Sequence, residues 1–151
     1  MKKGICVILL QLSVICCISQ IQIKEALREN RVNPVGLDVS QPELSCQLIS
    51  AVRNTMQTAY EVSVAESLSD LVKSKNMVWN SGKVLSEQSA HLTYTGSTSQ
   101  SAKKYYWRVR VWDNKRNVST WSEPSFWQMG FLKQEDWKAK WIQAGYQEDT
   151  I

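Results

Sequence analysis

From Tyr105 to Trp112 the side chains follow a period of two. In an extended chain successive side chains point to opposite faces, so Tyr105, Trp107, Val109 and Val111 share one face and Tyr106, Arg108, Arg110 and Trp112 the other. The first face is apolar apart from one phenol hydroxyl, which is what a strand needs to cover a core. The same period runs through Glu43–Ile49, where Leu44, Cys46 and Leu48 oppose Ser45 and Gln47. It returns in Thr58–Ala65, where Tyr60, Val62 and Val64 oppose Glu61 and Ser63, and in Ser89–Thr95. Met77–Val84 predicts a strand bent at Asn80-Ser81-Gly82, and Phe126–Gly130 a last strand whose faces the period leaves open. One segment departs: in Glu66–Asn76, Leu68, Leu71 and Val72 stand at helical spacing behind Ser67, a suitable cap for a short helical turn.

The connections are rich in turn residues. Residues 20–42 are polar and end in a stretch with Pro34, Gly36 and Pro42, which predicts an extended lead-in with turns. Ser50–Thr55 and Gly96–Lys103 are polar links, and Asp113–Asn117 predicts a hairpin turn. Short strands separated by turns, with no long amphipathic helix, imply an all-β fold: a two-sheet antiparallel β-sandwich over residues 43–131. Ahead of it, the basic start Met1-Lys2-Lys3 and the apolar run Ile5–Ile18 have the layout of a signal-peptide helix over residues 1–19. The run is shorter than a bilayer-spanning helix requires, so export without a membrane span is expected. Lipid anchoring at Cys16 or Cys17 is disfavoured, because neither follows a small residue.

Composition narrows the function. A chain of 151 residues with 43% hydrophobic and 21% charged residues suits one domain. Loss of Lys2 and Lys3 with the signal lowers the net charge from +4 to +2, a balance that argues against a nucleic-acid partner. It also leaves Cys46 as the remaining cysteine, so no intrachain disulfide is expected. Cys46 lies on an apolar face as core filler, and His91, the single histidine, has no second metal-type ligand near it in sequence. The acidic pairs Glu135-Asp136 and Glu148-Asp149 are adjacent, and neighbouring carboxylates do not face each other across a substrate. No metal motif, phosphate loop or nucleophile elbow occurs, so no catalytic residue, metal or cofactor is expected.

The segment Tyr105–Trp127 carries four tryptophans and four arginines and lysines. Tyr106, Arg108, Arg110, Trp112, Trp121 and Trp127 are therefore candidates for surface stacking or interaction. A sugar platform of Tyr106, Trp112 and Trp127, an anionic-glycan surface that also uses Lys103, Lys104, Lys115 and Arg116, and a solvated stacked wall all remain open. Asn117-Val118-Ser119 forms a glycosylation sequon.

The stretch Tyr105–Pro124 resembles the last hairpin of fibronectin type III domains, with a tyrosine, an alternating apolar and arginine strand, an acidic turn and a Trp-Ser-x-Pro step. Ser119, Trp121 and Ser122 are similar to the tryptophan-serine motif of cytokine-receptor modules, which implies that Arg108 and Arg110 stack on Trp121 or Trp112. A broader resemblance rests on "VNPVGLDVSQPELSCQL", "QTAYEVSVAES", "VWNSGKV", "YYWRVRVWD", "WSEPSFWQMG" and "EDWKAKWI". These segments are similar, in this order, to the N-terminus of bacterial α-L-rhamnosidases, which implies a fibronectin type III/immunoglobulin-like sandwich. In that family the catalytic carboxylates sit on a helical barrel that this chain does not contain. The resemblance implies a non-catalytic module of an exported enzyme, with residues 132–151 as the junction to a following domain and Trp137 and Trp141 at the interface. The alternative is a free-standing module that binds carbohydrate or protein. Its expected partners would be glycans instead of the following domains of a parent enzyme.

Overall fold

The computed structural model describes residues 21–39, 41, 43–140 and 142. In chain order the elements are β1 (Ile21–Arg28), β2 (Val35–Leu37), β3 (Glu43–Ser50), β4 (Gln57–Ala65), α1 (Leu68–Lys73), β5 (Met77–Asn80), β6 (Val84–Leu85), β7 (Leu92–Thr93), β8 (Lys104–Asp113) and β9 (Ser125–Met129). A short 3-10 turn, Gln134–Asp136, follows. One sheet has the order β1-β3-β7, and the other the order β2-β9-β8-β4-β5, with β6 also paired to β4. The predicted signal segment lies outside the described residues, as do Trp141, Glu148 and Asp149.

β8 forms the spine because its two faces have opposite chemistry. Tyr105, Trp107, Val109 and Val111 are all buried, and across the antiparallel ladder Val64 meets Trp107, Val62 meets Val109 and Tyr60 meets Val111. From the other sheet Ile21, Ala26, Leu44, Cys46 and Leu92 close the core over them. Cys46 is core filler as expected, and burial pushes its thiol up to about 12, which keeps it protonated.

The segment expected to be an extended lead-in is extended but is part of the sandwich. β1 pairs with β3 along its length, and β2 pairs with β9. A register shift between Ile23 and Glu25 hid β1 from a period reading: Ile21 and Ile23 face inward before it, Ala26 and Arg28 after it. One extra residue switches the parity, so the alternation that marks a strand is broken in the sequence. The β2–β9 pair is parallel, which corrects the wholly antiparallel expectation. The strand expected over Ser89–Thr95 shrinks to β7, because His91 takes a left-handed φ of 54° and its N–H turns to the Ser45 hydroxyl at 3.2 Å.

Two serines explain why regular pairing stops between the predicted hairpin turn and β9. The N–H groups of Val111 and Val109 donate to the hydroxyls of Ser119 and Ser122, at 3.0 and 3.1 Å. The serine N–H groups return bonds to the Val111 and Val109 carbonyls, each 2.8 Å long. The side chains thus stand in for a strand's carbonyls. Three steps from Ser119 to Ser122 are matched against two along β8, so the segment bulges at Thr120-Trp121. Ser67 caps α1 as expected by accepting from the Asp70 N–H at 3.1 Å, and Leu71 is the helix's buried residue. The expected bend after β5 is present, with Gly82 at φ +61°.

Arg28 is the unusual member of the interior. It is 1% exposed, its guanidinium carbon lies 3.7 Å from the Trp127 ring centroid, and none of its three side-chain nitrogens has a hydrogen-bond partner among the described residues. Burial lowers its pKa to about 9. Stacking on the indole offsets part of the desolvation cost, but not the unmade hydrogen bonds. Arg28→Met is expected to raise unfolding stability by roughly 1 kcal/mol, as replacing buried charge by well-packed apolar groups often does. Because the folded pKa is depressed, the wild type gains stability as pH rises above about 9, where only its unfolded state still holds the proton. Urea unfolding of both proteins at neutral and alkaline pH should therefore show the gap narrowing above that value.

Candidate interaction surface

The outward face of β8 presents Tyr106, Arg108, Arg110 and Trp112, facing Ala65, Ser63, Glu61 and Ala59 of β4. Arg110 is fixed by Glu61 directly across the ladder, with Nε donating at 2.8 Å and Nη2 lying 2.6 Å from the same carboxylate oxygen. Arg108 donates from Nη2 to the Ser74 hydroxyl, at 2.8 Å, just past the end of α1. Burial, and then the neighbouring Arg110 charge, lowers the pKa of Arg108.

The bulge places Trp121 against both guanidinium groups, whose carbons lie 4.3 Å (Arg108) and 4.6 Å (Arg110) from its ring centroid. Trp112 is met by the Lys83 ammonium at 4.6 Å and by Arg110 at 5.1 Å, and the Phe126 ring by the Lys104 ammonium at 4.4 Å. Tyr106 packs on Phe126 with centroids 6.2 Å apart. The Trp121, Trp112 and Phe126 rings each have a face taken by a cation of the same chain, which makes this face a stacked wall. Trp127, grouped with these residues from sequence, is not on the wall. It faces the core, 0% exposed, stacked on Tyr105 at 5.3 Å.

A second aromatic site lies past β9. Trp137 meets Phe131 edge to face at 5.8 Å, and the two remain 55% and 53% exposed. Beside them is a groove of about 550 Å³ whose lining also includes Leu132, Lys133, Gln134 and Ala139. Sequence reasoning named Trp137 and missed Phe131. Its signal was the apolar pair Phe131-Leu132 placed beyond the last strand. The Ser101 hydroxyl pins this segment, donating to the Asp136 carboxylate and accepting from the Leu132 N–H at 3.0 Å.

The remaining candidates are occupied. His91 is exposed and its Nδ1 is paired with the Glu43 carboxylate, and the Asn117 amide of the sequon donates to Asp113 at 3.0 Å. Among the described residues no cluster of metal-type ligands occurs, and no helix is long and apolar enough to cross a membrane. Two outcomes follow from these contacts. The single histidine should titrate above its ordinary 6.5 in an NMR titration, because the Glu43 hydrogen bond and charge raise it, and Glu43→Gln should bring it back. Trp121→Ala should cost about 1–2 kcal/mol in chemical denaturation by removing two cation–π contacts, while Trp121→Phe recovers part of the loss.

Comparison with known proteins agrees with this geometry. Residues 23–133 match the family model described as the Rha78A-like, N-terminal immunoglobulin domain. An α-L-rhamnosidase of Streptomyces avermitilis is 43% identical over 111 residues, covering 74% of this chain and 11% of that enzyme. One from Formosa agariphila is 36% identical over 143 residues, covering 89% of this chain and 15% of its own length. The solved structure of a Streptomyces avermitilis α-L-rhamnosidase complexed with L-rhamnose superposes with a TM-score of 0.77 at 38% identity, covering 82% of this chain and 12% of that one. The chain thus spans a small part of each relative, and it belongs to the family of Rha78A-like N-terminal immunoglobulin domains.

Proposed function

We propose that the chain is the non-catalytic N-terminal module of an exported α-L-rhamnosidase, a glycoside hydrolase that removes terminal α-L-rhamnose from glycans, and that it positions the domain that follows it. The observation that carries this reading is the exposed Phe131–Trp137 pair, which straddles the end of the matched segment at residue 133. Paired large aromatics left open at a module boundary indicate a surface meant to be covered. Lys133 lines the groove beside the pair and the exposed Lys138 and Lys140 follow Trp137 along the chain, so a partner with an apolar centre and an acidic rim fits it. Ser101, by holding Asp136 and Leu132 together, gives the junction a fixed departure from the sandwich. Export is supported by the basic and apolar start of the sequence.

The groups that could suggest chemistry are otherwise engaged: Asp136 holds Ser101, His91 holds Glu43, and the Cys46 thiol is buried in the core. The isolated chain is therefore expected to release no nitrophenol from 4-nitrophenyl α-L-rhamnopyranoside, while the product of an uninterrupted reading frame extending beyond Ile151 does. Hydrolysis by the isolated chain would overturn the non-catalytic reading. In the longer product, Phe131→Ser with Trp137→Ser should lower the thermal midpoint by several degrees at unchanged KM. An unchanged midpoint would remove the docking role.

A further inference from the structure

The Trp112 and Trp121 rings of the outer wall are covered by cations and Trp107 and Trp127 are in the core, whereas Trp79 borders open space along the side of the sandwich. It lies on β5, packed edge to face on Tyr94 at 5.1 Å, where the edge of the larger sheet comes beside β7, the edge strand of the smaller one. Between these edges runs a groove of about 340 Å³. That size falls within the range of small-molecule sites, about 300–1,000 Å³. Tyr60 and Trp79 supply its rings, and Gln88, His91, Thr93 and Thr95 contribute to its polar lining.

The chemistry of the lining selects a ligand class. It includes no lysine, arginine, aspartate or glutamate, and its one titratable ring of physiological range, His91, is paired with Glu43. An ionic ligand would lose hydration there without gaining a countercharge. The hydroxyls of Tyr60, Thr93 and Thr95 take no part in a hydrogen bond among the described residues, so they are free to meet a ligand's own hydroxyls. An extended peptide is disfavoured, because the strands along the seam are short, four residues in β5 and two each in β6 and β7, and give little edge for strand addition. Rings for the apolar face of a pyranose, surrounded by uncharged donors and acceptors, describe a saccharide site. We propose that this seam groove binds a neutral saccharide, with Trp79 and Tyr60 as the platform and Thr93, Thr95 and Gln88 as polar contacts. The site lies apart from the Phe131–Trp137 face and does not depend on what docks there.

The test is a titration of the ¹⁵N-labelled chain with L-rhamnose, D-glucose and D-glucuronate, read at the indole and backbone N–H signals. At least one neutral sugar should shift the Trp79 indole and the Thr93 and Thr95 amides saturably at millimolar concentration, and glucuronate should not. Thr93→Val with Thr95→Val, both exposed positions, should weaken that binding roughly tenfold while signal dispersion reports an intact fold. The proposal is overturned if no neutral sugar shifts these signals, or if the shifts centre on Trp112 and Trp121. Equal binding by the double valine variant would also overturn it.

Discussion

The antiparallel ladder of β4 and β8 is the constraint on which the other elements depend. Its inner side chains, Val62 and Val64 against Val109 and Trp107, form the floor of the core, and its outer side chains carry the arginines that anchor the aromatic wall. Strand geometry ties the two faces together: a slip of one residue would bring Arg108 and Arg110 into the core and expel Trp107 and Val109. The Glu61–Arg110 pair, Ser74 on Arg108 and the serine hydroxyls on Val109 and Val111 all hold that one register.

Aromatic side chains divide between the interior and the outer wall, and most find partners for their polar groups or faces, the buried Trp127 indole N–H being left without one among the described residues. A run of rings crosses the interior, from Trp79 through Tyr94 and Trp127 to Tyr105. The connection of residues 96–103 folds over its tyrosines, Tyr94 donating to the Ser97 carbonyl and Tyr105 accepting from the Gln100 N–H, both at 3.0 Å. On the outer wall, cations do the equivalent work by covering ring faces that water would otherwise meet. Rings without such cover include those at the seam and at the junction beyond β9, each beside a groove.

Arg28 shows what a bulge can impose on a strand. The register shift that turns Ala26 inward also turns Arg28 inward two residues later, next to Trp127. β1 thus closes the small sheet at the expense of a buried guanidinium with unmade hydrogen bonds. Stability and connectivity are in conflict there, whereas they agree along β4 and β8.

The sequence by itself determined the sandwich, the inner and outer faces of β3, β4 and β8 and the capped turn at Ser67, and it narrowed the stacking partner of Arg108 and Arg110 to Trp121 or Trp112. Each is a local pattern: side chains two apart share a face, and a cap or a stacking partner sits within a few residues or on the adjacent strand. The tertiary structure alone decided that residues 21–28 form a strand, that Trp127 is buried and that Phe131 joins Trp137. It alone also decided that Trp79 and Thr93 line one groove. A bulge erases the period that would reveal β1, and a five-residue strand between a bulged segment and a junction carries too little pattern to fix its faces. Grooves between sheets join residues that lie far apart in the chain, and their proximity is set by how two twisted sheets stack.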